Sequence, residues 1–116
     1  MYKHILVPTD GSELSREAAG AAVALAKESG ARITAFYARQ PYPKNLYDDG
    51  APMGSAKPEK FAKLTEQQAR RNLGFVIDLC KKAGVKGDRM ATISDSPAEA
   101  ILDAASKAGC DLIFMA

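Results

Sequence analysis

Tryptophan is absent from this sequence of 116 residues, histidine occurs once and cysteine twice. The lone His4 stands inside the first apolar run rather than at its end, so neither a Ser-His-Asp triad nor a histidine-built metal cluster can be assembled conventionally. It reads as an ordinary strand residue. Cys80 and Cys110, with no signal-peptide pattern ahead of them, read as buried thiols rather than a bridge. No apolar run approaches the ~20 residues that a membrane span needs, which argues against a membrane partner. Runs of one charge are missing as well. The 16 basic and 14 acidic residues leave a net +2 spread along the chain, without the stripe that tracks a nucleic acid backbone. A cytoplasmic location is the expectation. Neither GxxxxGK[ST] nor GxGxxG occurs, which removes the P-loop and dinucleotide fingerprints.

What the sequence does have is an apolar fraction of 47% and a charged fraction of 26%, the balance of one globular domain over residues 1–116. At this length roughly two-thirds of the extended chain's surface is buried on folding, enough for a core without disulfides or a structural metal. Ile5-Leu6-Val7 is continuously apolar and stops at Pro8, as in a strand buried on both faces of a parallel sheet. Ser12 is a good N-cap for a helix reaching about Glu28 and ended by Ser29-Gly30, with Leu14, Ala18, Ala21, Ala22 and Leu25 predicted on its inner stripe. A second strand is read over Arg32 to Arg39.

Residues 40–57, with Pro41, Pro43, Gly50, Pro52 and Gly54, exceed the ~12–15 residues of an ordinary connection and are predicted to be a long mobile loop. From Pro58 a helical period returns, with Phe61, Leu64, Leu73, Val76, Ile77 and Cys80 facing one way and Lys60, Lys63, Arg70, Arg71, Lys81 and Lys82 largely outside, until Gly84. A short strand around Arg89 to Ile93 precedes Ser96-Pro97-Ala98-Glu99, a capping box that starts a helix whose inner stripe is read as Ala98, Ile101, Leu102 and Ala105. Gly109 closes it, and Leu112 to Ala116 reads as a last strand apolar on both faces. The order β-α-β-α-β-α-β calls for an α/β fold, an open parallel sheet with helices on both faces and right-handed crossovers.

In such a sheet the ligand crevice lies beyond the carboxyl ends of the strands, where strand order reverses, and the first strand-to-helix turn is its usual lip. That turn is Pro8-Thr9-Asp10-Gly11-Ser12. Its helix start suits an anion, whereas the Asp10 carboxylate would accept hydrogen bonds from ribose hydroxyls or hold a divalent cation that carries phosphates. The alternative is local: Asp10 and Ser12 make a turn and a cap and nothing more. Asp48 and Asp49 read as solvating the long loop. Tyr42 and Tyr47 would cover a base if that loop folded back, and otherwise sit in solvent.

Tyr2-Lys3-His4-Ile5-Leu6-Val7-Pro8-Thr9-Asp10-Gly11-Ser12, the alanine-rich first helix, Asp95-Ser96-Pro97-Ala98-Glu99-Ala100-Ile101 and Cys110-Asp111-Leu112-Ile113-Phe114-Met115-Ala116 together resemble a universal stress protein of the UspA type over the whole chain. The resemblance implies a doubly wound sheet of five strands, a homodimer, a stress-response role and, in one branch, a site for ATP or another adenine nucleotide with accompanying Mg or Mn. Pro8, Thr9 and Asp10 would then lie along the base and ribose, Ala38 would offer its backbone to the adenine, and Met115 and Ala116 would form the opposite wall.

In nucleotide-binding members a glycine-rich stretch G-x2-G-x9-G-[ST] follows the fourth strand and wraps the phosphates. The sequence stops at Ala116, before that stretch and before the fifth strand, so the chain is expected to continue. No positioned base, nucleophile or metal cluster is legible, and ATP hydrolysis is expected to be slow or absent. The rival reading is a dimeric interaction protein of the stress response that binds no nucleotide. An adenylating or pyrophosphatase-type enzyme would need a serine-glycine-rich phosphate loop, which Thr9-Asp10-Gly11-Ser12 is not.

Overall fold

The structure, a computed structural model, describes residues 2–42 and 58–116. Most of the 40–57 segment, including Tyr47, Asp48 and Asp49, lies outside the described residues. The elements run β1 (His4–Pro8), α1 (Glu13–Ser29), β2 (Arg32–Arg39), α2 (Pro58–Ala83), β3 (Gly87–Ile93), α3 (Pro97–Ala108) and β4 (Leu112–Ile113). They form the expected α/β sheet, with four strands in the order β3-β2-β1-β4, all pairs parallel. The chain therefore walks outward from β1 to β3 and then returns to the far side of β1, which puts the reversal of strand order between β1 and β4.

Side chains on a strand alternate between faces, and the core divides accordingly. Ile5, Val7, Ile33 and Ala35 pack beneath α1 and α2 with Ala22, Leu73, Val76 and Cys80, while Leu6 and Phe36 pack beneath α3 with Ala100, Ala104 and Ala105. Helices cover both faces, as the continuous apolar run of β1 requires.

Several finer expectations are corrected. The inner stripe of α1 is Ser15, Ala19, Ala22, Val23 and Ala26, one position round from the predicted one; Leu14 is exposed, and Ala22 alone of the predicted set is buried. The buried face of this helix is built from small side chains and Val23 rather than from its leucines. On α2 the prediction holds from Leu73 to Cys80, but Thr65 and Ala69 replace Leu64 on the buried face, and Leu64 is exposed. α3 buries Ala100, Ala104 and Ala105, whereas Ala98 and Leu102 point outward.

The Ser96 side chain makes no capping bond. The Ser94 hydroxyl takes over the turn, accepting from the Ser96 amide at 3.0 Å and donating to the Ser96 carbonyl at 3.2 Å. β3 begins at Gly87 rather than near Arg89 and is an outer strand, mostly exposed. β4 is also an outer strand among the described residues, which is why Leu112, Ile113 and Phe114 are only half-buried and Met115 is exposed.

Candidate functional site

Pro8 ends β1, and the chain turns sharply into α1. The Thr9 amide donates to the Phe36 carbonyl at 2.9 Å, which carries the strand pairing one residue past Pro8, and Thr9 is buried. Its Oγ1 lies 3.1 Å from the Ser15 hydroxyl and accepts from the Gly11 amide at 3.2 Å. Asp10 Oδ1 accepts from the Ser12 amide at 2.8 Å, and the Ser12 hydroxyl in turn caps α1 by accepting from the Ser15 amide at 3.1 Å. Asp10 and Ser12 thus shape the turn and cap the helix. Hydrogen bonding from Ser12, its hydroxyl foremost and then its amide, holds the exposed Asp10 carboxyl below the usual carboxylate range, so it is charged at neutral pH.

Gly11 takes a left-handed φ of 81°, and a Cβ there would come within 2.6 Å of the Asn72 side-chain oxygen. Glycine at this position lets α2 close over the turn.

Beyond the carboxyl ends of the strands lies a cleft of about 910 Å3, within the roughly 300–1,000 Å3 of small-molecule sites. All six residues singled out in the sequence, Pro8, Thr9, Asp10, Ala38, Met115 and Ala116, line it. The sequence pattern did not bring out Arg16, Gln68, Arg71, Asn72, Ser94 and Asp95, which line it as well. Gln68, Arg71 and Asn72 fall three and four apart on α2, hence on one helical face. In the sequence Arg71 reads as solvent-facing with the other basic residues of α2, and Gln68 and Asn72 carry no signal of their own. His4 is at the amino end of β1, away from this cleft, with Nε2 2.6 Å from the Thr34 hydroxyl, in keeping with a plain strand residue. Cys80 and Cys110 are free thiols. Tyr42 packs edge-on against Phe61 of α2, ring centroids 5.5 Å apart.

The lining mixes apolar walls from Phe36, Ala38, Pro97 and Ile101 with hydrogen-bonding groups and charges of both signs, a composition suited to a ligand with a flat apolar part and a polar, anionic part. Among the described residues no three histidine, cysteine or acidic side chains gather into a metal site. Asp10 and Asp95 are the carboxylates on the cleft. Among the described residues no helix is long and apolar enough to cross a membrane.

The sequence profile of the Universal stress protein family matches residues 1–116. A universal stress protein of Methanocaldococcus jannaschii is 33% identical over 115 residues, covering 99% of this chain and 64% of that protein, so the chain spans less than two-thirds of this relative. The crystal structure of a universal stress protein family member from Burkholderia pseudomallei matches with a TM-score of 0.80 at 27% identity, over 97% of this chain and 79% of the other. A universal stress protein in complex with cAMP shares the fold, with a TM-score of 0.71 at 23% identity over 98% of this chain and 75% of the other. The fold is also that of universal stress proteins from Archaeoglobus fulgidus in complex with dAMP and from Arabidopsis thaliana with AMP bound, at 18% and 14% identity and TM-scores of 0.66 and 0.68. With the profile running the length of the sequence and a relative of this identity along nearly all of it, the chain belongs to the universal stress protein family.

Proposed function

We propose that the cleft binds an adenine nucleotide, ATP or a related one, and that the protein serves the stress response as a nucleotide-holding module. The observation that carries this reading is the convergence of Pro8, Thr9, Asp10, Ala38, Met115 and Ala116 on one cleft at the point where strand order reverses. The complexes of fold relatives with cAMP, dAMP and AMP support the ligand class. In this reading Ala38 and Pro8 border the base, the charged Asp10 accepts from ribose hydroxyls, and Met115 and Ala116 close the opposite wall.

A divalent cation, Mg or Mn, would supply charge neutralisation of the phosphates. The side chains fit it only through Asp10 and Asp95, so the phosphates themselves would contribute most of its ligands. With proton transfer left to these carboxylates, ATP turnover is expected to be slow. The same reading takes the protein to be a cytoplasmic homodimer.

Calorimetric titration with ATP and AMP tests it. Micromolar binding is expected, weakened about tenfold or more by Asp10→Ala, since a hydrogen bond to a charged group contributes roughly 1.5–3 kcal/mol. Binding unaffected by that change removes Asp10 from the site, and no binding of either nucleotide overturns the reading. The outcome would then favour a dimeric interaction protein, for which the exposed Ile93 and Leu102 offer contact surface.

A further inference from the structure

The cleft straddles the carboxyl edge of the sheet, and its two sides differ in charge. Strand alternation assigns the lining residues. Ala38 packs with the core beneath α3, and Pro8 follows the parity of Leu6 on that face; Tyr37 packs with the core beneath α1 and α2, and Thr9 reaches Ser15 of α1. The α3 side therefore carries Pro8, Ala38, Pro97 and Ile101, with Asp95 its one charged lining residue. The α1/α2 side carries Arg16, Gln68, Arg71 and Asn72 and no carboxylate beyond the turn residue Asp10.

Among the described residues the ion pairs are Arg32–Asp88 and Arg70–Glu66, and neither Arg16 nor Arg71 forms one. The contrast at adjacent positions is instructive: Arg70 has Glu66 one turn back, whereas the positions three and four before Arg71 hold Gln68 and Gln67. The Arg16 guanidinium sits 5.0 Å over the ring of Phe75, which is one turn beyond Arg71 on the same face of α2. Asn72, next along that face, lies against the Gly11 backbone and makes no hydrogen bond among the described residues. Two guanidinium groups and unengaged amides thus border one lobe of a cleft with no acidic partner drawn to them. An anion with several acceptor oxygens is the ligand that guanidinium groups and amides lining one lobe would engage, through charge-assisted hydrogen bonds.

We infer that the α1/α2 lobe is a phosphoryl-anion subsite, with Arg16 and Arg71 supplying the charge and Gln68 and Asn72 the neutral donors. The inference rests on the nucleotide reading only for the source of the anion, either the nucleotide's own phosphate or a free one.

Calorimetry with adenosine, AMP and pyrophosphate, on the wild type, on Arg16→Gln/Arg71→Gln and on Arg70→Gln, tests it. The double variant is expected to lose about tenfold or more in affinity for AMP and pyrophosphate, while adenosine changes by less than about twofold. Arg70→Gln is expected to change none of the three. An unaltered thermal melting midpoint shows that the exposed substitutions leave the fold intact. Displacement of AMP but not adenosine by pyrophosphate identifies the nucleotide's phosphate as the occupant, and simultaneous binding of AMP and pyrophosphate identifies a free anion; either supports the subsite.

Wild-type affinity for AMP and pyrophosphate in the double variant overturns the subsite alone, as does a wild type that binds adenosine and AMP equally and no pyrophosphate. Arginine-dependent binding of pyrophosphate with no binding of adenosine or AMP overturns the nucleotide reading and leaves the subsite standing. Failure of all three ligands on the wild type overturns both.

Discussion

Substituting Gly11 by alanine isolates the contact on which the site's geometry turns. Two costs add. The left-handed φ of 81° penalises an L side chain by about 1–2 kcal/mol, partly offset by ~0.4–1 kcal/mol from a less flexible unfolded chain, leaving about 1 kcal/mol. The new Cβ would also stand 2.6–2.8 Å from the oxygen, carbon and nitrogen of the Asn72 carboxamide. That group is the end of a rotatable side chain, so displacing it costs about 0.5–1.5 kcal/mol. Gly11→Ala is therefore expected to lower unfolding stability by about 2 kcal/mol in all, measured by urea denaturation. Repeating it in an Asn72→Ala background removes the second cost and is expected to leave about 1 kcal/mol, a coupling of about 1 kcal/mol in a double-mutant cycle. A neutral or stabilising Gly11→Ala would refute the left-handed turn, and equal costs in both backgrounds would refute the packing of Asn72 over it.

Phe36, the largest of the fully buried side chains, roofs the core beneath α3 and borders the cleft; Phe36→Ala is expected to cost about 3–5 kcal/mol in urea denaturation, and a loss below 1.5 would show that this core is not closed. For His4, burial foremost and then Arg32 hold the folded-state pKa below its ordinary 6.5, against smaller opposing effects of Asp88 and Asp111. The unfolded chain then binds more protons near that pH, so stability is full above the unfolded pKa and falls as pH drops toward the folded one. Urea midpoints taken at descending pH should show this loss, and His4→Gln should flatten it over the same window. A stability that rises on acidification through pH 6.5 would contradict the assignment.

The order of elements and the parallel sheet were legible because their signals are local: the unbroken Ile5-Leu6-Val7 run, the Pro97 helix start, and the glycines at positions 30 and 109 that cap α1 and α3 in the left-handed region. The phase of α1, of α3 and of the first turns of α2 was not legible, whereas that of α2 from Leu73 to Cys80 was. Leucines at 14, 64 and 102 look inward to a hydrophobicity pattern, yet each is exposed, and neighbouring serine, threonine and alanine residues take the buried positions instead. That choice is made by how each helix is rotated against the sheet in the packed fold, which one sequence does not state.

The β1 side of the cleft was legible from the Thr9-Asp10-Gly11-Ser12 turn. Its basic wall was not, because Arg71 belongs to a helix distant in sequence, and only the close approach at Gly11 brings that helix over the turn.

The central claim is that an adenine nucleotide occupies the cleft between the ends of β1, β2 and β4. Amide-resolved NMR titration with AMP tests it most directly. The account predicts saturable shifts at Thr9, Asp10, Ala38 and Met115, with the amides of Asp88 and Lys107 unmoved. Saturable shifts confined to the groove between β3 and α3, at Thr92, Glu99 and Lys107, or no shifts at all, would contradict it.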